Sequence, residues 1–146
     1  MASLSPLIEE VIGRGNSAEI TVEGTSMQPF LRHRVSRVRL YRADRVKNGD
    51  VVLYRRDNGA FVLHRIVGIR DGAYTMCGDN QYVLEHGIHR DQILAIMTAY
   101  ARDGVHFLDS SSFGYSVYRV LWMRTRFLRR LVGKAKRGVA RLIRRS

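Results

Sequence analysis

The chain has a single cysteine, Cys77, among its 146 residues. One cysteine excludes an internal disulfide framework and a cysteine-based zinc cluster, and it fits a reducing compartment. Nowhere is there a run of about 18 apolar residues, so no conventional transmembrane helix is expected. The first residues lack the apolar core of a secretory signal, because Leu7 and Ile8 are followed at once by Glu9 and Glu10. Acidic residues are missing from the whole stretch after Asp109, and lysine occurs only at positions 47, 134 and 136. No internal repeat and no low-complexity linker interrupts the chain.

The apolar fraction is 45% and the charged fraction 26%, both ordinary for a globular protein with one domain's worth of core. The net charge of +12 would suggest a nucleic-acid binder if it were spread evenly. It is not: eleven Lys or Arg residues fall between Arg119 and Arg145, which leaves 14 basic against 13 acidic residues in positions 1–113. The chain therefore divides into a nearly neutral body, 1–113 with a core over about 18–108, and a basic tail, 114–146.

Within the body, Ser5 and Pro6 mark the start of a short helix through Leu7, Ile8, Val11 and Ile12, which Gly13 and Gly15 end. Alternation predicts strands at 18–23 and 35–41. Strands at 50–55 and 61–69 flank the hairpin signal Asp57-Asn58-Gly59, and Asp71-Gly72 turns the chain into 74–77 before a last strand at 93–100. Short strands with tight turns point to a mainly β fold, a compact barrel or sandwich. In the tail, Asp109 to Ser112 offer helix caps, and apolar residues from Val117 to Ile143 recur at helical spacing. A helix from Tyr115 to Arg145 would be roughly 45 Å long.

Two residues carry the chemistry. Ser26 lies in GTSMQP, Gly24 to Pro29, directly after a strand. Gly24 permits backbone geometry that other residues resist, and Pro29 stiffens the exit, so the turn can expose a hydroxyl and aim backbone N–H groups at a developing oxyanion. An ordinary polar turn is the plain alternative, with Met27 a core filler. His64 lies mid-strand in VLHRI, on the face shared by Val62 and Ile66. An unperturbed imidazole titrates near pH 6.5, suited to a general base, although a lone histidine on an apolar face can also be a core residue. Asp79, in Gly78-Asp79-Asn80, is either a turn residue or the group that holds His64 in the right tautomer. Asp50, which opens the strand GDVVLY, has the same two readings. His86 and His89 have a loose metal-ligand spacing but no partner cluster, so no metal or other cofactor is expected.

In this order, the serine-methionine box, the glycine-aspartate strand, the histidine-bearing strand and the glycine-aspartate-asparagine segment resemble the signal peptidase I superfamily, which includes the LexA-like self-cleaving repressors. The resemblance covers about residues 18–100. Many members use a lysine base, whereas here His64-Arg65 occupies that position, as in the endoplasmic-reticulum and archaeal type. The resemblance implies the signal-peptidase catalytic β-fold, with Ser26 as nucleophile, His64 as general base and Asp79 as supporting acid. Thr25, Met27 and Arg65 would support the site and its oxyanion. The implied activity is serine-type endopeptidase cleavage of a preprotein or precursor peptide. The family's usual N-terminal membrane anchor is not evident here, which suits a cytoplasmic enzyme. A catalytically inactive binding module of the same fold is the alternative, while a self-cleaving regulator would need a DNA-binding domain for which the first 17 residues are too few.

The tail has three readings: a helix that packs its apolar stripe on the body, an amphipathic helix lying on an anionic membrane surface through residues 115–145, and a nucleic-acid binder. No helix-turn-helix or zinc pattern supports the third. The second places Trp122, Phe127 and Leu128 at the lipid boundary and implies a cytoplasmic protein held peripherally on the inner membrane. The sequence sets no oligomeric state.

Overall fold

A computed structural model describes residues 5–145 of the chain, with side chains from Ile8 to Arg144. It opens with helix α1, Ser5–Gly13, whose expected cap Ser5 has its side chain outside the described ones. Eight strands follow: β1 Ala18–Thr21, β2 Arg37–Arg42, β3 Val51–Arg55, β4 Phe61–Arg70, β5 Ala73–Cys77, β6 Glu85–Ile88, β7 Ile93–Ala101 and β8 Leu108–Asp109. The chain then enters one long helix, α2, Phe113–Arg145.

All strand pairs are antiparallel and belong to one sheet, in the order β1-β2-β7-β3-β4-β5-β6, with β8 added to β7. The fold is therefore mainly β, as the alternation predicts. Instead of a closed barrel or a two-sheet sandwich, it is a single path of strands whose outer members, β1 and β6, do not pair with each other. Local turn chemistry fixes the two central hairpins. Gly59 has φ +85°, and Asn58 Oδ1 accepts the Ala60 N–H at 3.0 Å, closing the β3–β4 turn. Asp71 and Gly72 both have positive φ, 52° and 74°, the geometry that a two-residue hairpin needs.

The sheet is covered on both faces. Val51, Leu53 and Leu63 join one apolar cluster with Met27, Phe30, Leu31, Val38 and Leu40. Val52, Tyr54, Ile66 and Met76 join a second on the other side. That is why Val51 to Tyr54 is unbroken by polar residues: a strand with two buried faces has no solvent side to alternate toward. Helix α2 closes the first cluster with Tyr115, which is 3% exposed. Its aliphatic residues do otherwise. Leu121, Leu128, Val132 and Val139 are exposed, so the apolar stripe does not pack on the body.

This contrast is measurable. Leu53→Ala should cost roughly 2–4 kcal/mol of unfolding free energy, because it opens a cavity in the centre of the sheet. Leu128→Ala should stay within about 0.5 kcal/mol. Urea titration of the two variants reads both values, and equal losses would mean that the helix stripe is buried after all.

Candidate active site

The Ser26 turn is built from the backbone outward. Gly24 takes φ +84°, and Met27 drops its side chain into the core at 1% exposure, which anchors the turn from below. Leu31 N–H donates to the Met27 carbonyl at 2.9 Å and tightens the following bend. Ser26 itself is half-buried and Thr25 exposed. The Ser26 Oγ makes no hydrogen bond among the described residues, and the N–H groups of Ser26 and Met27 donate to no other group there.

A second segment clamps this turn. Asn80 N–H donates to the Ser26 carbonyl at 2.8 Å, and the Asn80 amide donates to the Thr25 carbonyl at 3.1 Å. Gly78 is there because nothing larger fits: a Cβ on it would stand 2.5 Å from the Ser26 carbonyl oxygen and 3.1 Å from Ser26 Cβ. Gly78 directly follows Cys77, which pairs with Arg65 across β5 and β4. The turn is thus fastened to the strand end beside the residue after His64.

Asp79, between Gly78 and Asn80, is bound to Arg65 and Tyr118. Its two oxygens accept from Arg65 Nε and from a terminal Arg65 nitrogen, each at 2.8 Å, and the second oxygen also accepts the Tyr118 hydroxyl at 3.0 Å. Arg65 is wholly buried, and its remaining terminal nitrogen donates to the Gly49 carbonyl at 2.7 Å and the Tyr115 hydroxyl at 3.1 Å. Burial disfavours its charge, yet the Asp79 hydrogen bonds and carboxylate more than offset this and raise its pKa. With donors committed in this way, Arg65 supports Asp79 rather than an oxyanion at Ser26. Asp50 is a turn residue: Oδ2 accepts the Lys47 N–H at 2.9 Å, and Oδ1 lies 3.8 Å from Arg119 of α2.

His64 lies on the opposite face of β4 from Arg65, among Val62 and Ile66, and is 2% exposed. Its Nδ1 is 3.3 Å from the Tyr54 hydroxyl and 3.9 Å from Glu85 Oε1. Burial and the Glu85 carboxylate push the Tyr54 hydroxyl pKa up, so it keeps its proton. Although burial works against ionising Glu85, its hydrogen bonds to Arg56 hold the carboxylate below its usual range. Where the Tyr54 hydroxyl donates to Glu85 it accepts from His64, the arrangement that carries the imidazole proton on Nδ1 and the lone pair on Nε2. Burial pushes His64 down to about 4, against the pull of Glu85 and Asp79, so the ring is neutral at pH 7. Asp79 acts on it by charge, and no hydrogen bond joins them or joins His64 to Ser26 among the described residues.

Tyr54 and Glu85, the groups at His64 Nδ1, escaped the sequence reading. Tyr54 had a usable signal, since the Asn58-Gly59 turn sets the register Val52↔His64 and puts Tyr54 on the same face two residues on. Glu85 had none, because it arrives on a separate strand across β5. Among the described residues there is no group of three His, Cys, Asp or Glu side chains that could hold a metal, and His86 Nδ1 instead pairs with the Thr75 hydroxyl at 3.1 Å. No helix of the described residues is long and apolar enough to cross a membrane. The chain matches no protein-family model and no curated protein.

Two outcomes follow. Because unfolded His64 protonates near 6.5 and the folded residue only near 4, the unfolded chain holds more protons between those values, and stability falls as the pH drops through that window. His64→Gln should flatten the fall between pH 6.5 and 4.5, by on the order of 1–3 kcal/mol in urea titrations at each pH. Gly78→Ala should cost roughly 1–3 kcal/mol, since its neighbour is a backbone carbonyl and cannot swing aside. A neutral Gly78→Ala would mean that the clamp on Ser26 is loose.

Proposed function

We propose that the chain is a serine-type endopeptidase of the signal-peptidase kind, with a Ser26–His64 mechanism acting on a precursor peptide. The observation that carries this is the clamp: the Gly78–Asn80 segment holds the backbone of the Ser26 turn, whose hydroxyl is unengaged among the described residues, to the end of β5, the strand paired with the one that bears a neutral His64. In this reading His64 Nε2 takes the Ser26 proton while Oγ attacks the scissile carbonyl carbon. The tetrahedral oxyanion is held by the Ser26 and Met27 N–H groups. Collapse breaks the C–N bond, and the leaving amine receives the proton from His64. Water then gives a proton to His64 and attacks the acyl-enzyme, and as the acyl C–O bond breaks His64 returns that proton to Ser26 Oγ, which frees the carboxylic acid.

Tyr54 and Glu85 are positioning residues here, fixing the Nδ1–H tautomer, and Asp79 contributes negative charge near the imidazolium that forms. An extended substrate can add to β1, whose outer edge pairs with no strand among the described residues and whose chain leads into the Ser26 turn. The enclosure of His64 favours a second reading, an inactive binding module that retains the fold. Covalent trapping separates the two. A serine-directed acylating probe should label Ser26, seen by intact and peptide mass spectrometry, and labelling should be lost in Ser26→Ala and fall at least about 100-fold in rate in His64→Ala. Absence of labelling in the unmodified protein, or equal labelling in His64→Ala, would select the binding module.

A further inference from the structure

Helix α2 has two sides of opposite design. At 3.6 residues per turn, Tyr115, Tyr118, Trp122, Arg129 and Gly133 fall on one side. That side meets the body: Tyr118 stacks on Phe30 with ring centres 4.9 Å apart, Trp122 stacks on Tyr118 at 5.5 Å, and Gly133 meets the Tyr82 ring. Arg129 lies 3.3 Å above the Trp122 ring and Arg137 5.6 Å from that of Tyr82. Trp122 lies on that side, half-buried and stacked within the helix, while Phe127 and Leu128, named with it for the lipid boundary, are exposed.

The opposite side is an apolar stripe. Phe113 is 85% exposed and Leu128 59%, and Val117, Leu121, Leu131 and Val139 continue the line. The stripe runs nearly the full helix, roughly 50 Å at 1.5 Å per residue. Exposed Arg130, Lys134 and Arg141 border it on one flank, and exposed Arg124 falls within it between Val117 and Leu131. The helix carries eleven basic residues and no carboxylate.

We propose that α2 is the docking element for an anionic lipid surface, its apolar stripe entering the acyl boundary and its basic flank meeting the head groups. The stripe asks for an apolar occupant along its length, and the basic flank beside it, with Arg124 inside it, asks for negative charge at the same surface, which an anionic bilayer supplies together. A second copy of the chain meets the stripe poorly, because two helices without a carboxylate would bring like charges together at the seam. Phosphates of a nucleic acid would use the flank and leave the stripe in water. The helix is also joined to the Ser26 clamp, since Tyr118 and Tyr115 bond the Asp79–Arg65 pair and Asn80 follows Asp79. The inference stands without the peptidase reading, and its test needs no turnover.

The full chain should float with vesicles of phosphatidylcholine and phosphatidylglycerol, and do so far less with phosphatidylcholine alone. Leu128→Ser combined with Leu131→Ser and Val139→Ser should lower the vesicle affinity at least about tenfold at unchanged helix content by circular dichroism. Lys134→Gln with Arg141→Gln should weaken binding and flatten its dependence on salt. Three results would overturn the proposal: no flotation, flotation untouched by the serine substitutions, or sedimentation as a dimer that those substitutions dissolve without vesicle binding. Binding to a short DNA duplex as tight as binding to the mixed vesicles would overturn it as well.

Discussion

Arg65 has no exposed surface, and a buried cation must find all its partners inside the chain. Those partners tie together otherwise separate parts of the molecule. Asp79 comes from the segment after β5, the Gly49 carbonyl from the turn before β3, and the Tyr115 hydroxyl from α2. Phe30, Tyr115 and Tyr118 set their rings about the guanidinium at 5.7 to 5.8 Å. The pair is a poor source of net stability on its own, because desolvation consumes much of the Coulombic gain. Its consequence is geometric: once Arg65 and Asp79 are paired, Asn80 is placed to grip the Ser26 turn and α2 is placed across the body.

The two faces of β4 do different work. On one, Arg65 organises loops and helix. On the other, His64 sits in an apolar cluster with Tyr54 and the Arg56–Glu85 pair at its Nδ1. Adjacent residues on one strand point to opposite faces, so a one-residue step separates the structural ion pair from the candidate base. The price of the apolar setting is a depressed basicity, which keeps the imidazole unprotonated but lowers its pull on a serine proton.

Helix α2 bears on the first reading of the basic tail, a stripe packed on the body. Its aromatic and arginine side packs on the body while its aliphatic side faces outward, the reverse of an ordinary surface helix. The body-facing side can be polar because each group finds a ring, a carboxylate or a backbone carbonyl, as Tyr118 does on Asp79 and Arg129 on the Trp122 ring and carbonyl. Among the described residues the outward stripe receives no such partner from the body, and the lipid proposal rests on that asymmetry.

The sequence by itself determined the local structure: the mainly β character, the turns at Asn58-Gly59 and Asp71-Gly72, the face of His64, and the long C-terminal helix. These follow from periodicity and from backbone preferences that operate over a few residues. Tertiary structure alone decided the rest. It gave Asp79 to Arg65, put Tyr54 and Glu85 at His64, made a single sheet path rather than a barrel, and chose which side of α2 is covered. Each of these outcomes depends on contacts between residues far apart in the chain, such as Tyr118 with Asp79 or Gly133 with Tyr82. A carboxylate's partner is set by which cation folding buries beside it, and spacing along a sequence carries no record of that distance.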